Sequence, residues 1–328
     1  MIPLSNIERN KNSHKKKDVS SNQETNPIEP YTLSNLSYDK DRYRLKRLNI
    51  MMSILHASLA IVTLVTPKRL SLDAPVFRFT IDLNYTMDHS ENIASISANE
   101  EITSVVEAFG VKLKALDSGL PLVWLTFSFF ALTSFFHFLV SILIPKTYFF
   151  CLDNKCNPFR WIEYSITASL MWLIFAHMFA FVDLNSLILS TTMICVTMFS
   201  AIQCEFVARP DIEKDDWTLP LMTRLVFLLP GLVLYGTPAI LLCISLLTNI
   251  NGTLPAFVLP SVISLLGLYE SFAIVLIWQQ CNRPSQWIYG EYAYQVLSLV
   301  SKALLGLVLI FNIFIYEDYS CIFESDFC

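Results

Sequence analysis

Long apolar stretches separated by shorter polar segments dominate the sequence from residue 48 onward. A helix needs about 20 such residues to cross the hydrocarbon core of a bilayer. The pattern predicts seven transmembrane helices, at 48–66, 120–144, 160–182, 187–207, 221–248, 256–279 and 290–316. We therefore expect an all-α integral membrane protein whose seven-transmembrane helix bundle occupies residues 48–316, with lipid as its surroundings.

Three polar segments lie outside the predicted spans. Residues 1–47 are rich in Asn, Ser, Lys and Glu, which predicts a disordered basic tail. The loop at 67–118 is long, and its alternation of apolar and polar residues around 76–83 predicts a small β-hairpin. Residues 317–328 form a short acidic tail, in which a disulfide between Cys321 and Cys328 is one possibility and two free thiols the other.

Local signals refine two of the helices. Asn157 followed by Pro158 is typical of a helix N-cap and first position, so the third helix should begin there. Pro230 and Pro238 fall within the fifth predicted span, where each would remove a backbone hydrogen bond. We expect both prolines to kink that helix.

Composition supports the membrane assignment and excludes several function classes. Of the 328 residues, 54% are hydrophobic and only 16% are charged, whereas a soluble domain carries about 25% charged residues. The net charge of -5 is too small to indicate a nucleic-acid partner. The eight cysteines lack the spacing of metal ligands. No nucleophile–base set is visible, so we do not expect an enzyme.

The distribution of basic residues predicts the orientation of the bundle. They occur on the approach to the first span and in alternate loops, at Lys146, Lys155, Arg160, Arg209, Lys214, Arg224 and Arg283. The loops at 183–186 and 249–255 contain none. The positive-inside rule then places the N-terminus in the cytoplasm and the C-terminus outside. The sequons at Asn84 and Asn251 would lie outside, as glycosylation requires.

Lys302 is the residue most in need of an explanation, because it lies in the middle of the last apolar span. A charged amine in hydrocarbon is unfavourable and marks a functional site. Either Lys302 pairs with a buried acid or its amine has been chemically altered. Condensation with an aldehyde to give a Schiff base fits a desolvated lysine well.

Glu163, early in the third span, is the best candidate partner for that nitrogen. Both residues are reached from the same side of the membrane, and their depths differ by roughly 10 Å at a rise of 1.5 Å per residue. The alternative is a helix-end ion pair between Glu163 and Arg160. Ser298 lies one turn before Lys302 and can bond either its nitrogen or the helix backbone. Glu291 is interpreted as a solvated interfacial acid on nearly the same face.

Other ionisable residues within or at the ends of the spans include His56, His137, His177, Glu205 and Glu270. His56 and His137 lie in the first two spans, either as ordinary core residues or as parts of a polar, proton-exchanging cavity. Glu205 is interpreted as an interfacial acid. Glu270 is deeper, and either protonation or a hydrogen bond to a neighbouring helix would account for it.

An elongated apolar ligand attached to Lys302 would need a slot beside it. Thr167 and Met171 follow Glu163 at i+4 and i+8, so they share its helix face. Other large side chains in the spans are candidates for the slot, although ordinary packing is the alternative for each: Tyr164, Trp172, Met198, Phe199, Phe272 and Trp278.

The segments that contain these residues resemble a known family, the heliorhodopsins. Arg160-Trp-Ile-Glu-Tyr-Ser165 resembles the family's third-helix segment with its counterion glutamate. Trp278-Gln-Gln, Tyr289-Gly-Glu291 and Leu297-Ser-Leu-Val-Ser-Lys302 resemble its sixth-to-seventh-helix stretch. The likeness extends over all seven spans and is most specific at 160–172 and 278–306. The long basic N-terminal tail and Ser301, where Ala is expected in many members, depart from it.

The resemblance implies a rhodopsin-like bundle that binds all-trans retinal as a protonated Schiff base on Lys302. Glu163 would be the counterion and Ser298 a further hydrogen-bond partner, while His56 and His137 would belong to a cytoplasmic polar cavity. It also implies a homodimer, a slow photocycle and light sensing through a cytoplasmic signalling partner. Two alternatives to light sensing stay open. One is light-driven or light-gated proton transport with the same chromophore, and the other is a pigment-free seven-span receptor or regulator.

Overall fold

The computed structural model describes residues 33–66, 73–74, 77–81, 111–115, 120–179, 181, 183–211, 213–249 and 258–311. It comprises two compact units, Met1–Lys40, described only for the helical residues 33–40, and Asp41–Cys328, which contains the bundle. The predictions for Asn84, Asn251, Cys321 and Cys328 concern residues outside these ranges, so they stay predictions.

Helices account for most of the described residues. In chain order they are α1 Leu33–Val65, α2 Leu122–Phe138, α3 Pro145–Asp153, α4 Pro158–Phe179, α5 Leu184–Val207, α6 Leu221–Arg224, α7 Leu228–Asn249, α8 Val258–Cys281 and α9 Trp287–Leu309. A π-helical turn, Leu139–Leu143, extends α2 directly after His137. Except for the short α3 and α6, each helix coincides with one of the predicted spans.

Among the described residues, six helices are long and apolar enough to cross a membrane. They are α1, α2 with its π-turn, α5, α7, α8 and α9. Helix α4 is 22 residues long but more polar, because it contains Arg160, Glu163 and His177. The protein is therefore a multi-pass integral membrane protein, and α4 contains several of its candidate functional residues.

Two helix boundaries differ from the sequence-based expectation. Helix α1 begins at Leu33, so residues 33–47, expected to belong to a disordered tail, are helical, and Leu45 is fully buried by packing within the bundle. The fifth span is interrupted before Leu228, which leaves Pro230 in the first turn of α7. Proline has no backbone N–H, and it is tolerated there because the N–H groups of a helix's first turn have no carbonyl within the helix to bond. Of these two prolines, only Pro238 lies in the interior of α7, where it removes a backbone hydrogen bond.

The loop between α1 and α2 contains two strand pairs. Strand β1 Asp73–Ala74 pairs with β4 Leu120–Pro121, and β2 Phe77–Ile81 pairs with β3 Val111–Ala115, both antiparallel. The strand predicted around 76–83 is therefore present, but its partner lies some thirty residues further along the chain rather than across a tight turn. A third pair, β5 Pro210–Asp211 with β6 Asp216–Trp217, follows α5.

Helix α4 lies at the centre of the bundle. It packs against α2 and α5 and also contacts α7 and α9. Trp172, Ile174 and Phe175 of α4 are almost completely buried in the main apolar core. Polar side chains on α4 therefore face other helices rather than lipid, which places Glu163 within reach of α9.

Candidate functional site

Lys302 lies buried on α9 with two oxygen atoms around its amine. Its side chain is 3% exposed. Nζ donates to Oε1 of Glu163 at 2.7 Å and to Oγ of Ser298 at 2.9 Å. An ammonium in a low-dielectric interior is tolerated when a carboxylate and a further acceptor surround it. The structure thus brings Glu163 and Ser298 to the Lys302 nitrogen.

The start of α4 positions Glu163. The backbone N–H of Arg160 donates to Oδ1 of Asn157 at 3.2 Å, which is the N-cap expected from the Asn157-Pro158 pair. Glu163 then lies in the second turn of α4 and is 5% exposed. Its carboxylate faces α9, so the alternative in which Glu163 pairs with Arg160 is wrong.

An apolar cavity begins at Lys302 and extends between α4, α5, α7 and α8. It contains about 850 Å³ of space not filled by atoms, including the part that opens to the surface. Five of the side chains proposed for a ligand slot line it: Tyr164, Thr167, Met171, Met198 and Phe272. Phe199 and Trp278 are instead 51% and 41% exposed. Trp172 packs edge-on against two tyrosines, Tyr235 and Tyr269, that also line the cavity.

The cavity suits a long apolar molecule with few polar groups. Tyr164 lies beside the Lys302 amine, with Nζ 5.2 Å from the ring centroid, and its ring packs edge-to-face on Phe272 at 5.3 Å. Ser301 also lines the cavity next to Lys302. Glu270, in the middle of α8 as the sequence predicts, also lines the cavity and is exposed on the surface of the bundle.

His56 and His137 lie outside this cavity, on the side of α1 and α2. Their rings stack at 5.7 Å, and both residues are buried. Nδ1 of His56 donates to the carbonyl of Met52 at 2.8 Å. Nδ1 of His137 bonds Oδ1 of Asn49 at 2.7 Å, and the Asn49 amide is oriented by donation from Nδ2 to the carbonyl of Leu45.

These bonds define the tautomers of both histidines. Each Nδ1 carries the proton when the ring is neutral, so each Nε2 presents a lone pair. Neither Nε2 has a hydrogen-bond partner among the described residues. His137 lines a second, smaller cavity of about 370 Å³ together with Glu163 and Arg160. The Glu163 carboxylate and the His137 imidazole, whose Nε2 lone pair is free to accept a proton, therefore line the same cavity.

A buried ion-pair network lies at the same end of α4. Arg160 forms ion pairs with Glu205 of α5 and Glu291 of α9, and all three side chains are at most 5% exposed. Asn157 adds its backbone N–H to Glu205 at 2.8 Å and its side-chain amide to Glu291 at 2.7 Å. The interpretation of Glu205 and Glu291 as interfacial acids is therefore wrong. The available signal was the spacing of Glu291, 11 residues or three helical turns before Lys302.

An apolar cluster closes this end of the bundle. Its buried members are Leu45, Val140, Tyr148, Leu152 and Trp287, and we call it the end plug. Tyr148 lies within 3.5 Å of the Asn49 amide that holds His137. Val140 and Tyr148 of the end plug also line the smaller cavity, so packed apolar side chains bound it on this side.

Comparison with known proteins decides the family. The heliorhodopsin family model matches residues 45–314, most of the chain. The chain belongs to the heliorhodopsin family. No curated protein matches the sequence at a significant level. The match includes α1 from Leu45 onward, all later helices, and both Glu163 and Lys302. The chain is therefore a rhodopsin-type, light-responsive membrane protein, and the family implies retinal as its chromophore.

Proposed function

We propose that this protein is a light sensor that binds all-trans retinal covalently through Nζ of Lys302. The observation that supports the proposal is the position of that amine. It is buried 2.7 Å from the Glu163 carboxylate, and it opens on an apolar cavity whose lining includes aromatic and Met side chains. The dimensions and apolar character of such a pocket are typical of one that encloses an elongated apolar ligand.

Each site residue has a physical role in this proposal. Glu163 supplies the negative charge that stabilises a positive charge on the Lys302 nitrogen. Ser298 provides a second acceptor, and Tyr164 and Phe272 restrict the space beside the nitrogen. Met171, Met198 and Thr167 line the cavity further along. When bound, retinal supplies absorption of visible light and a change of shape about a double bond.

The polar side of the site can receive a proton. A displacement of the Lys302 nitrogen would separate its N–H from Glu163 and leave a carboxylate without its partner in a buried site. His137 shares the smaller cavity with Glu163 and presents the lone pair of Nε2. We assign to this imidazole, and to His56 stacked on it, the acceptance of a proton released at Nζ.

The signal would then be a change in how α4 and α9 are held together. In the resting state two charge contacts join them, Lys302 to Glu163 and Arg160 to Glu291. Neutralising the first leaves the second as the remaining ionic link, which biases the helices toward another packing. The homodimer and the cytoplasmic signalling partner implied by the family stay predictions.

Light-driven or light-gated proton transport is the second candidate, and Glu270 is the observation that favours it. This acid is exposed at the edge of the cavity that begins at Lys302. The end plug argues against a continuous polar path at the opposite end. Photocurrents recorded from voltage-clamped cells separate the two. A sensor gives none, a light-driven pump gives a current of fixed direction, and a light-gated channel gives a current whose sign follows the proton gradient.

The first experiment is reconstitution of the purified protein with all-trans retinal. We expect a visible absorption band, and after borohydride reduction a peptide that contains Lys302 with the mass of the reduced adduct. A Lys302→Ala variant should stay colourless. A Lys214→Ala variant removes an exposed lysine elsewhere and should keep the band. The reduced adduct on a peptide with another lysine, or a visible band that persists in Lys302→Ala, would refute Lys302 as the attachment site.

A further inference from the structure

The exposed side of α1 forms a continuous stripe that changes from apolar to basic. Its apolar part faces outward from the bundle over four turns and consists of Met51, Ile54, Leu55, Ile61, Val62 and Val65, each at least 42% exposed. This composition is typical of a helix face in contact with lipid chains. The stripe therefore marks the side of α1 that lies against the bilayer.

The same stripe continues beyond Met51 with different chemistry. Arg47 is one turn before Met51, and Tyr43 and Arg44 are one turn before Arg47, so all lie on the same face. Tyr43 is 68% exposed and the Arg44 side chain 59%. At a rise of 1.5 Å per residue, Arg47 lies about 6 Å beyond the last apolar residue. This position corresponds to the headgroup layer.

The opposite face of this part of α1 is held by the bundle. Arg42 pairs with Asp153 of α3, the backbone carbonyl of Asp41 accepts from the Tyr292 hydroxyl at 3.2 Å, and Leu45 is fully buried. These contacts fix the rotation of the helix. They leave Tyr43, Arg44 and Arg47 directed away from the protein.

The two arginines on the stripe have little protein to bind. Arg44 lies 3.8 Å from Asp41, a long contact for an exposed pair. Arg47 is exposed and has no ion-pair partner among the residues that the structure describes. Their guanidinium groups therefore keep donors free in a geometry that suits a phosphate.

We propose that Tyr43, Arg44 and Arg47 form a binding site for the headgroup of an anionic phospholipid, in the leaflet at which α1 enters the membrane. Charge complementarity favours this occupant, since the two cations lie at headgroup depth on a stripe that already contacts lipid chains. Tyrosine is suited to the same boundary because its ring is apolar and its hydroxyl is polar. Each arginine should favour an anionic lipid roughly fivefold, the equivalent of about 1 kcal/mol.

The test measures lipid selectivity in nanodiscs of phosphatidylcholine that contain the full-length protein. Spin-labelled phosphatidylserine and spin-labelled phosphatidylcholine are added separately, and electron paramagnetic resonance gives the motionally restricted fraction of each. We expect phosphatidylserine to associate with the wild-type protein more than fivefold more strongly than phosphatidylcholine does. The double variant Arg44→Gln/Arg47→Gln should lose at least fivefold of that preference.

The matched control is Arg209→Gln/Arg283→Gln, which removes two exposed positive charges away from α1. It should retain the wild-type preference, and circular dichroism should show the same helix content in all three proteins. Equal preference of the wild-type protein for both lipids, or an equal loss in the control, would overturn the proposal. In the second case the selectivity would come from overall charge rather than from the stripe.

Discussion

Nζ of Lys302 lies 2.7 Å from Oε1 of Glu163, although the two residues are 139 positions apart in the sequence. The contact joins α9 to α4 in the middle of the bundle. Both side chains are buried, so neither charge is compensated by water. The pair stabilises the fold only while both members are present and charged, which makes it sensitive to mutation and to chemistry at the amine.

Replacement of Glu163 by Gln should change the colour of the retinal-bound protein. The amide keeps the shape of the side chain but removes the negative charge beside the Lys302 nitrogen. We expect either a long-wavelength shift of the visible band or its replacement by the near-ultraviolet band of a deprotonated linkage. Absorption spectra between pH 5 and 9 would distinguish the two results. A Glu270→Gln variant is the comparison, and an unchanged spectrum of Glu163→Gln would remove Glu163 as the counterion.

Replacement of Arg160 by Gln should be among the most destabilising changes in the protein. It leaves Glu205 and Glu291 buried close together without their cation, and breaking a buried pair in this way costs about 3–5 kcal/mol. The measurement is the free energy of unfolding in a denaturing-detergent titration. Arg209→Gln removes an exposed arginine and should change the free energy by less than about 0.5 kcal/mol. A mild effect of Arg160→Gln would mean that the two acids are protonated.

Replacement of Gly306 by Ala should destabilise α9 where it passes α2. A Cβ at Gly306 would lie 2.5 Å from Cζ of Phe130, so the ring must move. Overpacking of this kind costs about 1–3 kcal/mol. Gly236→Ala is the control, because its Cβ would meet nothing within 4 Å. Thermal unfolding should show a lower midpoint for Gly306→Ala and no decrease of the midpoint for Gly236→Ala. Phe130→Leu should partly restore the midpoint of Gly306→Ala.

Asp183 should stabilise the start of α5 in a pH-dependent way. Burial raises the pKa of this carboxyl, but hydrogen bonds from Ser186 and Asn185 outweigh that effect, and the net pKa is lowered from the ordinary 3.8. A group with a lowered folded-state pKa stabilises the protein above its unfolded pKa and loses this effect as the pH falls through the folded value. Asp183→Ala should therefore cost about 1 kcal/mol near neutral pH. Unfolding midpoints of the two proteins should converge on acidification below pH 3.8.

The end plug predicts that a proton released inside the protein stays there. Leu45, Tyr148 and Trp287 are each at most 2% exposed, and this packed apolar cluster bounds the smaller cavity towards the end of the bundle. A flash should therefore give no transient in a water-soluble pH indicator. His137→Phe, which removes the proposed acceptor, should slow or abolish any spectral intermediate with an unprotonated nitrogen. A fast indicator signal from the wild-type protein would favour transport.

The sequence predicted those parts of the site that depend on one helix at a time. The depth of Lys302, the spacing of Ser298 and the shared face of Thr167 and Met171 follow from helical periodicity. The partner of Lys302 followed from the rule that a buried charge needs a counter-charge. Which acid it would be depended on depth, and the structure agrees with the choice of Glu163.

The parts that were missed depend on how helices rotate against one another. Arg160 is 45 residues from Glu205 and 131 from Glu291, and nothing local shows that all three face one point. Glu205 and Glu291 lie near helix ends, where an exposed acid is the usual interpretation. The pairing of β2 with β3 was missed for a similar reason, since the alternation of side chains identifies a strand but not its distant partner.

The polarity of α4 also bears on how the chain enters the membrane during synthesis. A segment with Arg160 and Glu163 in its first half is a poor candidate for stable insertion alone, because each unpaired charge is unfavourable in hydrocarbon. Two of the compensating groups, Glu291 and Lys302, belong to α9, which the ribosome makes more than a hundred residues later. We therefore expect α4 to be stably integrated in the membrane only after α9 has been synthesised.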